Sequence, residues 1–233
     1  MIILCLIFLF KYFQQKTDTY QFKQGYHHKH STMETSYDAY AESFSRTRHS
    51  LWPAVTSFLD QLPKYALLAD VGCGNGKYAN YLPNTVYIGI DLSRPLLNCA
   101  LSKHSSLIQA SALHLPLKDT LFDAVISIAV LHHMPTHVLR KEFLKELVRI
   151  ANNKILVSVW AAQDHVIKKT WECIGDNDYI VPWQNTHKRF YHLFTEEELR
   201  SIFEEVAPDF QVIITYERDN WYAEATRLPR KVP

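Results

Sequence analysis

The chain has 233 residues, 47% of them hydrophobic, 21% charged and 13% aromatic. That composition excludes a disordered, collagen-like or acidic solvating chain and suits one α/β domain. Lys and Arg number 25 against 24 Asp and Glu, so no global field draws in a nucleic acid or an anionic membrane, and such a partner must meet a local patch.

Residues 1–10 form an unbroken apolar run, followed by Lys11, Tyr12 and Phe13. A spanning helix needs about 20 apolar residues, and a secretory signal carries positive charge before its apolar stretch. No stable membrane insertion is therefore expected. Residues 14–32 are polar and hold His27, His28 and His30, which read as a solvated tail rather than a metal site. Met33 opens a new register. Residues 1–32 are read as a leader outside the fold, disordered or from an over-extended start, and residues 33–233 as the folded domain; a short surface anchor is the other reading of the leader.

From there helices and strands alternate. Residues 37–44 and 52–62 have helical patterning, with Pro53 in the first turn of the second helix. Residues 66–71 are a continuous apolar run ended by glycines, as for a buried parallel strand. A helix is expected to run through 78–82. Residues 86–90 form a second strand ending on Asp91, and Ser93 with Pro95 opens another helix. Strands follow at 107–109 and 122–128. A helix carries Leu139, Phe143, Leu147 and Ile150 on one face, and a fifth strand covers 155–160. A longer irregular segment precedes a helix at 196–205 capped by Thr195, and two closing strands, 210–216 and 221–226, turn at Asp219-Asn220. The alternation predicts a doubly wound α/β sheet, mostly parallel, with one antiparallel strand near the C-terminus. Cys5, Cys73, Cys99 and Cys173 include no CxxC pair, which argues against a disulfide framework and a zinc ribbon.

The run Asp70-Val71-Gly72-Cys73-Gly74-Asn75-Gly76 places three glycines between a strand and the following segment. The chain must turn sharply there, and absent side chains let a ligand approach the backbone. The spacing is GxGxG rather than the dinucleotide GxGxxG, which receives a pyrophosphate on a helix N-terminus. A ligand without phosphates suits this loop. Asp91 at the next strand end offers a carboxylate to ribose hydroxyls, and Asp70 an anion to a cationic ligand group. Together they point to S-adenosylmethionine.

The sequence resembles motifs I and II of class I S-adenosylmethionine methyltransferases, and more selectively the eukaryotic tRNA wobble-uridine carboxymethyl methyltransferases, including the methyltransferase half of the AlkB-type fusion proteins. The matching stretches are Tyr37-Asp38-Ala39-Tyr40-Ala41 with Ser45-Arg46-Thr47-Arg48, Trp52-Pro53, 70–78, 122–133, Val159-Trp160-Ala161, Val181-Pro182-Trp183, 189–194 and Asn220-Trp221. The resemblance implies a class I fold, a cofactor set of Asp70, Gly72, Gly74, Gly76, Asp91, Ser111, Ala112 and Ile128, and no metal. Ser111 stands where the family often has an Asp that receives the adenine amino group. Asn152-Asn153 replaces a Pro-Gly-Gly turn before the fifth strand, which asparagine's tolerance of the left-handed region is expected to preserve.

The implied reaction esterifies the carboxylate of 5-carboxymethyluridine in the tRNA anticodon loop. A carboxylate with a pKa near ~4 is already ionised and needs no general base. It must instead be oriented and kept from water. Arg48, His132, His133, Arg189 and Tyr191 are candidates for orienting it, with His192 in the same segment, although the adjacent histidines are not expected both to face the ligand. Trp160, Trp183 and Trp221 are candidates for stacking on a base. Lys168-Lys169, Lys188-Arg189, Arg227 and Arg230-Lys231 are the basic clusters available to phosphates. The resemblance also implies a small zinc-binding activator protein as heterodimer partner, expected on the third strand as an outer edge, and a cytoplasmic location that extends to the nucleus in some readings. A small-molecule methyltransferase with a lipid-like substrate, and a silent interaction module of the same fold, are the alternatives.

Overall fold

The computed structural model describes residues 38, 41–183 and 187–229. The expected leader, its histidines, most of the first turn of the first expected helix and Arg230-Lys231 lie outside those residues. Seven strands form the main sheet: β1 (Leu67–Val71), β2 (Val86–Asp91), β3 (Leu107–Gln109), β4 (Phe122–Ile128), β5 (Ala151–Trp160), β9 (Phe210–Glu217) and β10 (Asn220–Arg227). Their order is β3-β2-β1-β4-β5-β10-β9. Only β10 runs antiparallel to its neighbours β5 and β9, as the sequence pattern requires.

Five α-helices are described: α1 (Ala41–Ser45), α2 (Pro53–Asp60), α3 (Arg94–Ala100), α4 (His137–Ile150) and α5 (Glu196–Val206). Their starts follow local chemistry. Ser93, Thr136 and Thr195 each accept a backbone N–H from the first turn of α3, α4 and α5, satisfying a donor the helix cannot pair itself. Helix α2 has Pro53 in its first turn. Val55, Phe58 and Leu59 of α2 bury against Leu68, Tyr87, Ala124, Ile126, Leu156 and Tyr222 of the sheet. Phe143 and Leu147 of α4 and Leu199, Ile202 and Phe203 of α5 are likewise buried. Among the described residues, no helix is long and apolar enough to cross a membrane.

Three expectations need correction. Residues 78–81 are successive turns, not a helix; Tyr78 and Ala79 are buried in the core, with Tyr81 and Leu82 packed against it. Asn152-Asn153 makes no left-handed turn. Helix α4 passes at Ala151 straight into extended backbone, and β5 absorbs the extra residue as a bulge opposite Phe122–Ala124. The segment after β5 is not irregular. It forms a second, antiparallel sheet of β6 (Glu172–Gly175), β7 (Asp178–Trp183) and β8 (His187–His192), backed by Tyr179, Val181, Tyr191 and Leu193.

Candidate active site

Strands β1, β2, β3 and β4 end on one side of the sheet, at Val71, Asp91, Gln109 and Ile128. The strand order reverses between β1 and β4, which opens a crevice at that edge. The glycine loop occupies it, and its glycines differ in role. Gly72 has φ +78°, and a Cβ there would meet Val130 Cγ2 at 2.3 Å. Ala129, itself at φ +61°, turns the chain just ahead of Val130. Gly74, at φ +54°, has nothing within 4 Å of where a Cβ would sit. Of these two, only Gly74 leaves room for a ligand.

The Gly74 N–H donates to Asp91 Oδ2 at 2.8 Å, and the Ser93 N–H donates to Asp91 Oδ1 at 2.9 Å. Each carboxylate oxygen keeps a lone pair for a diol. Burial raises the Asp91 pKa against these backbone hydrogen bonds. Asp70 is 2% exposed and accepts the Tyr87 hydroxyl at 2.8 Å. Burial, more than any other cause, pushes its pKa up to about 7. The Lys77 ammonium lies 4.4 Å over the Trp52 ring, and burial lowers its pKa to about 8. Ser111 Oγ accepts the Leu113 N–H at 3.3 Å and retains capacity for one more donor. Ala112 and Ile128 are half-buried, next to the ends of β3 and β4. These residues fit S-adenosylmethionine: the cradle is open at Gly74 and a carboxylate stands ready for the ribose. The turns at 78–81 also provide no helix N-terminus to favour a pyrophosphate.

Beside this edge lies a cleft of about 260 Å³, lined by Phe44, Arg48 and Trp52, by Ala129, His132 and His133, by Trp160 and Tyr191, and by the closing hairpin at Arg218, Asp219, Asn220 and Tyr222. Both histidines line it, contrary to expectation, because Leu131–His133 is a 3-10 turn and not the end of a strand. His132 stacks on Tyr191, with ring centres 4.8 Å apart, and its Nδ1 accepts the Trp160 N–H at 3.4 Å. His133 Nδ1 lies 3.1 Å from the Phe190 carbonyl oxygen; a carbonyl only accepts, so this nitrogen carries the proton. Burial holds His132 well below the usual imidazole range and lowers His133 to about 4. Both are neutral at pH 7.

Arg189 is 7% exposed, with its guanidinium 4.7 Å from the Trp183 ring centre and 5.0 Å from that of Tyr191. Its Nε and Nη1 are buried without a hydrogen-bond partner. Arg48 sits over Phe44 at 4.8 Å and the same Trp183 at 5.6 Å. Two guanidiniums thus share one indole, and neither forms an ion pair with a carboxylate among the described residues. His192 is placed differently. Its Nδ1 lies 2.6 Å from Asp178 and its Nε2 2.8 Å from Glu198, so both nitrogens are spent joining β8 to β7 and α5. Trp221 donates its Nε1 hydrogen to the Phe194 carbonyl at 3.0 Å and packs on Tyr216. Strand alternation explains this: Asn220 and Tyr222 share the cleft side, and Trp221 takes the other. Arg218 was not anticipated; its signal was the turn residue pair Arg218-Asp219, both with positive φ, which swings it to the cleft rim. Among the described residues no group of three or more His, Cys, Asp or Glu could hold a metal ion.

Residues 69–154 match a methyltransferase domain family. The chain is 44% identical over 151 residues to the Arabidopsis thaliana tRNA (carboxymethyluridine(34)-5-O)-methyltransferase, covering 63% of this chain and 37% of that protein. It is 36% identical over 151 residues to the Saccharomyces cerevisiae protein of the same name, covering 63% of this chain and 54% of the relative. With the Schizosaccharomyces pombe protein of that name it shares 32% identity over 216 residues, 82% of this chain and 94% of the relative. The chain thus spans well under two thirds of some relatives and nearly all of another. Among solved structures, an S-adenosylmethionine-dependent methyltransferase from Methanosarcina mazei superposes with a TM-score of 0.62 at 18% identity, covering 77% of this chain and 99% of that one. The methyltransferase in complex with the Haloferax volcanii Trm112 methyltransferase activator gives 0.64 at 15% identity, covering 83% and 98%. These likenesses establish the class I methyltransferase fold, and the identity along nearly the whole Schizosaccharomyces pombe relative places this chain in the tRNA (carboxymethyluridine(34)-5-O)-methyltransferase family.

Proposed function

We propose that this chain methylates the carboxylate of 5-carboxymethyluridine at the wobble position of tRNA, with S-adenosylmethionine as donor. The observation that carries the reading is the guanidinium pair flanking Trp183, half-buried Arg48 and buried Arg189 with its Nε and Nη1 unbonded, neither ion-paired with a carboxylate among the described residues. A buried, unpaired charge is costly unless an anion meets it. S-adenosylmethionine, when bound, supplies an electrophilic methyl group on sulfur. The residues of the chain hold the carboxylate by charge-assisted hydrogen bonds from Arg48 or Arg189, leaving one oxygen directed at the methyl. Because that carboxylate is ionised at neutral pH, no proton need move. The neutral His132 and His133 act in shape and hydrogen bonding, and do not compete for the anion. Trp160, Tyr191 and Tyr222 wall the cleft with aromatic faces on which an extruded base can stack. His192 and Trp221, bonded away from the cleft, support its walls.

We further propose that a small activator protein docks on β3. This strand is an edge of the main sheet, three residues long, with Leu107 and Ile108 half-buried and Gln109 exposed; an added strand pairs such an edge. The test of the activity is methyl transfer to an anticodon stem-loop carrying 5-carboxymethyluridine, read by nucleoside mass spectrometry. The methyl ester is expected with that loop and not with its unmodified uridine counterpart. No ester with either, or methylation of small carboxylates alone, would overturn the reading.

A further inference from the structure

We infer that Asn75, inside the glycine loop, is a positioning residue that couples the cofactor cradle to Arg48. This rests on the proposed role of Arg48 in holding the substrate carboxylate. Asn75 follows Gly74, the glycine that faces open space, yet its side chain points away from the cradle and is 3% exposed as a residue. Its Nδ2 lies 3.2 Å from the Ser45 carbonyl oxygen, 3.1 Å from Ser45 Oγ and 3.3 Å from the Arg48 carbonyl oxygen. Two of these acceptors are carbonyls, which cannot donate, so the amide must present its nitrogen to them. The Asn75 backbone carbonyl in turn accepts from Lys103 Nζ at 2.8 Å.

The gripped segment is short. Helix α1 is five residues long, and of those only Ala41 is buried. A helix that short is marginal without tertiary support. A further tie is at Asp38, whose Oδ1 accepts the Ser93 hydroxyl at 2.5 Å. Ser93 is also a backbone donor to Asp91. Asp38 and the Ser45–Arg48 stretch are thus each fastened to groups that contact the cofactor cradle: Asp91 through Ser93, and the Gly74 turn through Asn75. A ligand that orders the cradle orders the segment, and the segment carries Arg48 to the cleft. Cofactor first and tRNA second is the binding order this favours.

Four variants test it, with anticodon stem-loop kinetics and S-adenosylhomocysteine affinity measured on each. Asn75→Ala is expected to lower kcat/KM for the stem-loop roughly tenfold while cofactor affinity moves less than about threefold, a split of about 1.4 kcal/mol against less than about 0.7. Asn75→Asp, the same shape with a carboxylate oxygen facing two carbonyl oxygens, is expected to be worse than Ala. Adding Asn75→Ala to Arg48→Ala is expected to cost less than about twofold more, because coupled residues are non-additive. Equal losses in cofactor affinity and methylation, or full additivity with Arg48→Ala, would overturn the proposal. Hydrogen exchange on the unmutated chain gives an arm that needs no variant: amides of 41–48 are expected to gain protection when S-adenosylhomocysteine binds, and unchanged protection overturns the coupling. If instead Arg48→Ala leaves stem-loop methylation intact, the substrate reading fails while the exchange result still judges the latch.

Discussion

Arg189 shows how one residue changes meaning between sequence and structure. In the chain it is one of a Lys188-Arg189 pair on a polar strand, yet Lys188 is exposed and pairs with Glu172, whereas Arg189 turns inward between two rings. Aromatic faces offset part of the cost of burying a guanidinium, by about 0.5–2 kcal/mol each, but leave its Nε and Nη1 unbonded. Arg189→Ala is therefore expected to lower kcat/KM on the carboxymethyluridine stem-loop by roughly 10–100-fold, the worth of a charged hydrogen bond of about 1.5–3 kcal/mol. Calorimetric affinity for S-adenosylmethionine should barely move; equal losses would mean that Arg189 only supports the fold. Asp70 predicts a pH effect on the cofactor instead. Its pKa stands near 7 because it is buried, so it is half-protonated at neutrality. A cationic ligand favours the ionised form, hence cofactor affinity should rise as pH rises through about 7. Titration of the binding constant across that range checks this, and Asp70→Asn should flatten the profile.

At the level of elements, the glycine loop is as much a packing device as a ligand cradle. Gly72→Ala would drive a methyl into Val130 and strain a positive φ, so a loss of about 1–3 kcal/mol from overpacking is expected in denaturant melts. Val130→Ala in the same chain should restore part of it, since the clash disappears and the strain does not. The sheet edges make a second, paired prediction. Edge β3 carries Ile108, and the opposite edge β9 carries the exposed Ile213. Ile108→Asp should abolish co-purification with the activator, while Ile213→Asp leaves it intact. Loss with both variants would mean general misfolding, and loss with neither would place the partner elsewhere.

For the whole molecule, the sequence changes from a polar, histidine-rich stretch to helical patterning at Met33, so a chain begun at Met33 is expected to bind cofactor and methylate as the full chain does; failure to bind would put residues 1–32 in the domain. Acid stability follows His133. Unfolded, it takes a proton near ~6.5; folded, only near 4. Between those values the unfolded state binds more protons, so this residue makes stability fall as pH drops. Asp70 acts oppositely, binding its proton near 7 when folded. Denaturation of His133→Gln against the parent between pH 7 and 4 isolates the first effect: the variant should lose less stability on acidification. Strands 107–109 and 122–128 were legible because short apolar runs between turn residues have one way to be buried. The glycine loop was legible for a related reason: its glycines and Asp91 lie within one loop and the next strand end, where local chain geometry already sets their placement. The second sheet was not, because Glu172–Gly175 is wholly exposed, the alternation in Asp178–Trp183 buries only Tyr179 and Val181, and His187–His192 is mixed in character, so it is their pairing that makes them strands. The substrate cleft was half legible. Its residues come from five stretches as far apart as Phe44 and Tyr222, and a residue's type states what it can do but not which way it faces. The sequence alone determined a mostly parallel sheet with a glycine loop and a carboxylate at the next strand end, since those follow from local periodicity and backbone sterics; that Arg189 and Asn220 face inward while His192 and Trp221 are bonded elsewhere was decided by tertiary packing, because side-chain direction depends on register between strands distant in the chain.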